Sequence, residues 1–170
     1  TYGPFKNAEE MKTWMSGCEN SKDPLYFTVR SKESNKCVGV VSFLNIVLIH
    51  KTIELGHIWY SPEAQRTQIN TEAIYIMLME CFENLNYRRV EWKCNAMNEK
   101  SKAAALRLGF SYEGTFLQHQ ISKSRNRDTA WYSMLDYEWE TRKQNFKRWL
   151  YSNDKKSLTE LNKPLLRKSF

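Results

Sequence analysis

Two stretches of the chain alternate between apolar and polar residues, which is the pattern of half-buried β-strands. In Thr52–Tyr60 the alternation predicts that Glu54 and His57 face opposite sides of the strand, with His57 toward the core. In Arg88–Ala96 the alternation is equally regular. Runs of β-forming residues predict four further strands: Leu25–Arg30, Cys37–Leu44, Tyr112–Ser122 and Thr129–Leu135.

Helical periodicity and capping residues predict four helices between and after these strands. The second helix is apolar on nearly all sides, so we expect it to be buried on more than one face. The residues after Tyr151 are expected to be poorly ordered. This order of elements predicts one α+β domain on a single mixed sheet. The helices span Ala8–Met15, about 71–84, Glu99–Leu108 and Tyr137–Tyr151, with Gly17 ending the first and Asn98 capping the third.

Length and composition are those of one globular domain. The chain has 170 residues, of which 41% are apolar and 26% charged, so a full core is expected and wholesale disorder is excluded. It has no run of the roughly 20 apolar residues that a membrane helix needs, and its opening residues do not form a secretory signal. We therefore expect a cytoplasmic protein with no membrane partner. The cysteines and histidines lack metal-ligand spacing, which predicts reduced thiols and no metal site.

The positive charge of the chain is concentrated at its C-terminal end. Residues 140–170 hold nine Lys and Arg against three Asp and Glu, whereas residues 1–139 are almost balanced. A basic tail attracts acidic surfaces or nucleic acid, so an acidic or nucleic-acid partner is one prediction for this segment. A solvated helix followed by a frayed end is the alternative.

Two segments carry candidate chemistry. Between 53 and 85 a strand runs through a polar loop into a helix, and the free N–H groups of a helix N-terminus attract a pyrophosphate. The loop adds the cation of Arg66 and the hydroxyls of Thr67 and Thr71. The second segment, 98–110, is a capped, alanine-rich helix that closes on a glycine. Ordinary capping explains each segment when it is taken alone.

Taken together and in order, these segments resemble those of a known family, the GNAT superfamily of acyl-CoA-dependent N-acyltransferases. The similar branch is that of the ribosomal-protein N-terminal acetyltransferases. The resemblance covers roughly residues 1–139, which it marks as a GNAT-like domain, with a basic helix and tail over 140–170. Relatives have a strand and a helix before the segment at Tyr2–Phe5, so a protein that begins at Thr1 would lack them. The residues that carry the resemblance are Ile53–Pro62, Arg66-Thr67, Thr71–Ala73, Asn98, Ser101, Gly109-Phe110, Glu113-Gly114 and Asp128–Ser133.

The resemblance implies a mostly antiparallel sheet in which two parallel strands splay apart to bind acetyl-CoA, the co-substrate. Backbone groups of Ile58 and Tyr60 would pair with the pantetheine arm, the loop would hold the pyrophosphate, and Asn98 would lie beside the thioester. The cofactor-binding residues that it implies are Ile58, Trp59, Tyr60, Arg66, Thr67, Gln68, Ile69, Asn70, Thr71 and Asn98.

The reaction implied is the transfer of an acetyl group to a primary amine, of a protein N-terminus or a small molecule, by direct attack in a ternary complex. Only a neutral amine attacks, and Glu54 is the candidate base, directly or through a water. Ser101 is the candidate acid for the leaving thiolate. The alternatives are a strand glutamate that is exposed or ion-paired and an ordinary first-turn serine.

Two departures from the family pattern keep a second function open. The pyrophosphate loop reads Gln65-x-x-Gln68-x-Asn70 and lacks the glycines that let a backbone approach closely. The position at which many relatives carry a tyrosine acid is Ala105, which cannot exchange a proton. The alternative is therefore a non-catalytic acyl-CoA-binding or polyanion-binding protein that retains the fold.

Overall fold

Six strands form one sheet in the computed structural model, which describes residues 3–153 and 155–167. The strands are β1 (Leu25–Arg30), β2 (Cys37–Val47), β3 (Thr52–Tyr60), β4 (Arg89–Asn95), β5 (Ser111–Ser122) and β6 (Arg125–Leu135). Their spatial order is β1-β2-β3-β4-β6-β5. The α-helices are α1 (Ala8–Glu19), α2 (Gln68–Met79), α3 (Glu99–Arg107), α4 (Asp136–Tyr151) and α5 (Leu158–Asn162).

The parallel neighbours β3 and β4 part soon after they meet. Their pairing begins at Thr52 with Arg89 and ends at Leu55 with Trp92. Beyond that point β3 pairs with β2 alone and β4 with β6 alone, while the remaining neighbours in the described sheet are antiparallel. Backbone groups along the gap therefore have no partner across it. This confirms the predicted fold class, a mostly antiparallel α+β sheet with a splayed parallel pair.

The core lies between one face of the sheet and the helices α2 and α4. Leu78 of α2 and Phe146 of α4 have no exposed surface. Tyr75 of α2 packs its ring against those of Trp139 and Phe146, with centroids 6.1 and 5.5 Å apart. The chain leaves α2 through a single π-helical turn, Glu80–Asn84. Helix α4 is therefore an integral part of the core.

A β-bulge in β3 changes which side chains share a face. The register passes from Val40 opposite Trp59 to Ser42 opposite Gly56, so β3 has one residue more than β2. His57 sits in the bulge with φ of 50°, and its Nδ1 lies 2.9 Å from Ser42 Oγ. The prediction that His57 lies opposite Glu54 and toward the core is therefore wrong. Both residues lie on the face that α1 covers, because the extra residue reverses the alternation after Gly56.

The described part of the C-terminal segment is folded, which corrects the prediction that residues after Tyr151 are poorly ordered. Leu158 is 1% exposed and Asn162 is 0% exposed. Asn162 Nδ2 donates to the carbonyl of Arg107 at 2.9 Å, and Arg142 Nε donates to that of Gly109 at 3.1 Å. The segment thus holds the C-terminal end of α3. Asp154 and 168–170 lie outside the described residues.

Three element boundaries also differ from the predictions. Helix α1 continues through Gly17 to Glu19, because this glycine keeps helical backbone. Helix α2 begins at Gln68, three residues early, where the Thr67 hydroxyl accepts from Ile69 N–H at 3.3 Å. The predicted loop over 123–128 is a tight turn at Lys123 and Ser124, whose φ values of 51° and 60° suit a twisted hairpin.

Candidate active site

The gap between β3 and β4 opens into a cleft of about 1310 Å³. On one side it is lined by residues of β3, among them Glu54 and Tyr60, and on the other by Lys93 and Cys94 of β4. Sheets with parallel strands bind ligands at the carboxyl ends of those strands, and this cleft lies at the carboxyl ends of β3 and β4. The geometry therefore provides one site that runs through the sheet from its α2 face to its α1 face.

Glu54 lies where the two strands begin to part and is 6% exposed. Its Oε2 accepts a hydrogen bond from Asn45 Nδ2 at 2.6 Å and forms an ion pair with Lys93 Nζ at 2.9 Å. Burial raises the pKa of Glu54, and the Lys93 ammonium opposes that rise. The carboxylate is therefore buried and ion-paired within the cleft, as one of the two alternatives has it, and its role as the base stays a prediction.

A tryptophan of β6 completes this end of the cleft. The Nζ of Lys93 lies 3.9 Å from the ring centroid of Trp131, a cation–π contact. The indole N–H of Trp131 is buried and has no hydrogen-bond partner among the described residues. Trp131 thus borders the cleft and does not belong to the buried core.

The first turn of α2 faces the cleft through Asn70. Its predicted hydroxyl ligands are already engaged: Thr67 Oγ1 donates to the Ala64 carbonyl at 2.8 Å, and Thr71 Oγ1 donates to Asn70 Oδ1 at 3.1 Å. Arg66 adopts φ of 61°, so the loop makes its left-handed turn without a glycine. This turn can attract an anion through its free backbone N–H groups, the positive end of the α2 dipole and the charge of Arg66.

Arg107 of α3 contributes a cation to the cleft wall on the side of the first turn of α2. Its Nη1 donates to Thr71 Oγ1 at 2.9 Å, and no described carboxylate forms an ion pair with it. Burial lowers the pKa of the guanidinium, which nevertheless stays charged. A partly buried cation without a counter-ion favours an anionic ligand. Nothing in the sequence pattern singles out Arg107, which lies in the helix predicted over Glu99–Leu108.

The residues at the start of α3 hold one another in place. Asn98 Oδ1 accepts from Ser101 N–H at 3.1 Å as the N-cap. Trp92 Nε1 donates to Ser101 Oγ at 3.0 Å. Because an indole nitrogen can only donate, Ser101 must be the acceptor in this bond, and its hydroxyl hydrogen can donate to a second group, as it does to the neighbouring Cys94 sulfur.

The predicted β3 residues separate by face at the bulge. Tyr60 lies on the α2 face, where its hydroxyl donates to the Asn70 carbonyl at 3.3 Å, and burial raises its pKa. Ile58 also lines the cleft, whereas Trp59 lies beside Trp14 in a separate apolar pocket of about 440 Å³ under α1. The structure thus gathers Glu54, Ile58, Tyr60, Asn70, Asn98 and Ser101 around one cleft. The other predicted residues, Trp59, Arg66, Thr67, Gln68, Ile69 and Thr71, are not among the described residues that line it.

Two residues of this site carry no signal in the sequence alone. Lys93 belongs to the polar side of an alternating strand, and only the register of β3 against β4 brings it to Glu54. Asn45 follows a predicted strand and reaches Glu54 because β2 is longer than predicted. In the described ranges no helix is long and apolar enough to span a membrane, and no three metal-binding side chains lie together.

Known proteins resemble both the sequence and this arrangement. The ribosomal-protein-serine acetyltransferase of Escherichia coli is 28% identical over 103 residues, and YdaF of Bacillus subtilis is 31% identical over 105 residues. These matches cover 61% and 62% of this chain, and the chain spans only 57% of either relative. A GCN5-related N-acetyltransferase from Brucella melitensis superposes with a TM-score of 0.91 and 38% identity, covering 95% of this chain and 76% of that one.

The family assignment rests on a domain match over well more than half of the chain. The acetyltransferase (GNAT) domain matches residues 1–111, which contain β1 to β4, the splayed pair and α3. The resemblance that the motifs predicted is thereby confirmed, while the predicted domain boundary at 139 stays a prediction. The chain belongs to the GNAT acetyltransferase domain family.

Proposed function

We propose that the protein transfers the acetyl group of acetyl-CoA to a primary amine, of a protein N-terminus or of a small molecule, by direct attack in a ternary complex. The observation that carries this proposal is a buried, ion-paired carboxylate, Glu54, at the point where two parallel strands open into a cleft. Membership of the GNAT family supports the same chemistry.

The cleft suits acetyl-CoA in shape and charge. Beyond Leu55 the edge of β3 that faces the gap has no partner strand, so backbone groups along it, from Ile58 to Tyr60, can pair with an amide-bearing chain such as pantetheine. The Tyr60 carbonyl already accepts a hydrogen bond from Gln65 Nε2 at 3.0 Å, and a ligand would share or replace that bond. Anionic phosphates would be held by the first turn of α2, from Gln68 to Thr71, with the cations of Arg66 and Arg107. Asn98 borders the opposite wall. Acetyl-CoA supplies the activated acyl group, and the protein supplies its orientation.

In the proposed reaction Glu54 takes a proton from the amine, directly or through a water, because only the neutral amine is nucleophilic. The amine nitrogen then forms a bond to the acyl carbon and the carbon–sulfur bond breaks. The second proton, which the nitrogen loses as the amide forms, would pass through the Ser101 hydroxyl to the leaving thiolate, so that Ser101 ends the reaction as a hydroxyl again. Holding the two substrates in line is itself worth about 7–11 kcal/mol of the barrier.

The test is a CoA-release assay with N-terminal peptides, lysine peptides, polyamines and small amines side by side. We expect release with at least one class, and we expect acetyl-CoA to raise the melting temperature, since a ligand that binds only the folded state adds about 2.7 kcal/mol at a hundredfold excess over Kd. A thermal shift without release from any amine would favour a non-catalytic acyl-CoA-binding protein. No shift at millimolar acetyl-CoA contradicts both.

Glu54→Gln separates catalysis from binding. We expect it to leave the thermal shift by acetyl-CoA unchanged and to lower turnover about 10²-fold, the usual range for loss of a general base. Glu99→Gln is the matched control, because that carboxylate is exposed and its ion-pair partner among the described residues is Lys102. If Glu54→Gln and the wild type turn over equally across pH 6–9, Glu54 is not the base of the reaction.

A further inference from the structure

Two carboxylates face each other across the splayed strands. Glu54 of β3 and Glu91 of β4 are register partners in the parallel pair, so their side chains lie on the same face of the sheet. Like charges in this arrangement repel, and such a pair ordinarily forces one carboxyl group to keep its proton. An acid that keeps its proton cannot serve as a base, so the pair needs a cation.

Lys93 supplies that cation. Its Nζ lies 2.9 Å from Glu54 Oε2 and 2.9 Å from Glu91 Oε2, so one ammonium bridges both carboxylates. The face of Trp131 holds the same ammonium from the far side, at 3.9 Å. Lys93 has 15% of its side chain exposed, which limits screening by water.

The other groups around Glu54 do not replace this charge. From β2, Asn45 donates a neutral hydrogen bond, and from β3, His57 lies on the same face with a pKa that burial lowers, which favours its neutral form. Arg89 of β4 pairs with Glu91 at 2.9 Å and with Glu113 of β5. His119 and Arg127 of the β5–β6 hairpin line the same cleft, but no ion pair joins either to Glu54 in the described protein. Lys93 is thus the described cation in contact with this carboxylate.

We propose that Lys93 is a positioning residue that keeps Glu54 ionised and fixed at the mouth of the splay, ready to accept the proton of the amine. This inference rests on the proposed function, in which Glu54 is the base. Lys93 is not the acid or the base of the proposed reaction. The contribution of Lys93 grows as the pH falls, because a carboxylate pair without a bridging cation takes up a proton more readily.

The activity test compares the pH profile of kcat/KM for Lys93→Met with that of the wild type, using an amine that the wild type acetylates. Dividing the kcat/KM of the variant by that of the wild type at each pH removes the effect of amine ionisation, which is the same for both enzymes. We expect this ratio to be about tenfold lower at pH 6 than at pH 9. For Lys93→Arg, which keeps the positive charge, we expect the ratio to be the same at every pH. Lys143→Met is the control, since Lys143 forms a 2.9 Å ion pair with Glu83 outside the cleft.

A direct titration judges the proposal without turnover. Glutamate labelled with ¹³C at the side-chain carboxyl group reports the Glu54 midpoint by NMR, with Glu54→Gln assigning the signal. We expect Lys93→Met to raise this midpoint by one pH unit or more, and Glu91→Gln, which removes the repelling charge, to lower it. If no amine is acetylated, the proposed function fails while this measurement still applies. An unchanged midpoint in Lys93→Met, or a midpoint in Glu91→Gln that does not fall, overturns the role of Lys93.

Discussion

Arg107 shows how a single charge can point to a ligand. It sits in the wall of the cleft, donates to the hydroxyl of Thr71 and has no carboxylate partner in the described protein. A cation that needed only to pack would be matched by an acid, as Arg89 is by Glu113. The predicted pyrophosphate loop lacks glycines, and a side-chain cation beside the first turn of α2 can take the place of a close backbone approach to a phosphate.

We therefore expect Arg107→Gln to weaken the binding of CoA about tenfold, the loss expected for one charge-assisted hydrogen bond. Binding of pantetheine, which lacks the phosphates, should change little. Isothermal titration with both ligands measures the difference, and melting curves without ligand report any loss of stability through Thr71. Arg88→Gln is the control, because Arg88 bonds the His50 carbonyl away from the cleft. Equal losses for CoA and pantetheine contradict a phosphate-binding role.

Some of the site residues could be identified from the sequence and others could not. Glu54 and Ser101 lie in an ordered set of motifs, which a reader can match without a structure. Lys93 could not be found in this way, because its contact with Glu54 depends on the register between two strands that are far apart in the chain. The role of each predicted cofactor residue stays a prediction.

At the level of elements, the β-strands were predictable from alternation until the bulge in β3. Strict alternation assigns each residue a face, and one extra residue at Gly56-His57 reverses the assignment for the rest of the strand. The sequence does hold a signal for the bulge that the alternation does not take into account: Gly56 is an isolated glycine inside a strand, which often accompanies a bulge, and the next residue, His57, adopts the positive φ. The last helix, α5, escaped prediction because its few apolar residues are buried only by contact with α3 and α4.

The packing of α5 predicts that the C-terminal segment is needed for stability. Leu158→Ala removes a side chain that is 1% exposed, so we expect a loss of about 2–5 kcal/mol in the free energy of unfolding. Leu165→Ala is the matched control in the same segment, because Leu165 is 38% exposed and should cost well under 1 kcal/mol. Urea unfolding measures both. Equal stability of the two variants would mean that α5 does not pack on the body in solution.

At the level of the whole molecule, the charged tail is partly used inside the fold. Arg142 pairs with Glu138, Lys143 with Glu83, and Arg167 with Glu113. These pairs leave fewer of its charges for an external partner, so an acidic or nucleic-acid partner stays a prediction. They also join the C-terminal segment to the sheet, since Glu113 of β5 binds Arg89 of β4 as well as Arg167.

This junction predicts how stability depends on pH. The Arg89 guanidinium, followed by the Ser133 hydroxyl and Arg167, lowers the pKa of Glu113 from 4.5 to about 2. A carboxyl group whose pKa is lower in the folded state stabilises the fold at pH values above 4.5, and this contribution is lost as the pH falls from 4.5 toward 2. Part of Glu113 is exposed to solvent, which screens the interaction.

We expect Glu113→Gln to lower the free energy of unfolding by about 1–2 kcal/mol at pH 7, because two arginines lose a charged partner. The difference from the wild type should stay constant down to about pH 5 and then narrow, since the wild-type carboxylate contributes less as the unfolded state takes up its proton. Urea unfolding at intervals from pH 7 to pH 3 follows the difference. Glu99→Gln, at an exposed pair with Lys102, should show almost no difference at any pH. If the difference in the free energy of unfolding between Glu113→Gln and the wild type does not narrow below pH 5, the loss of stability at pH 7 comes from packing and not from the charge of Glu113.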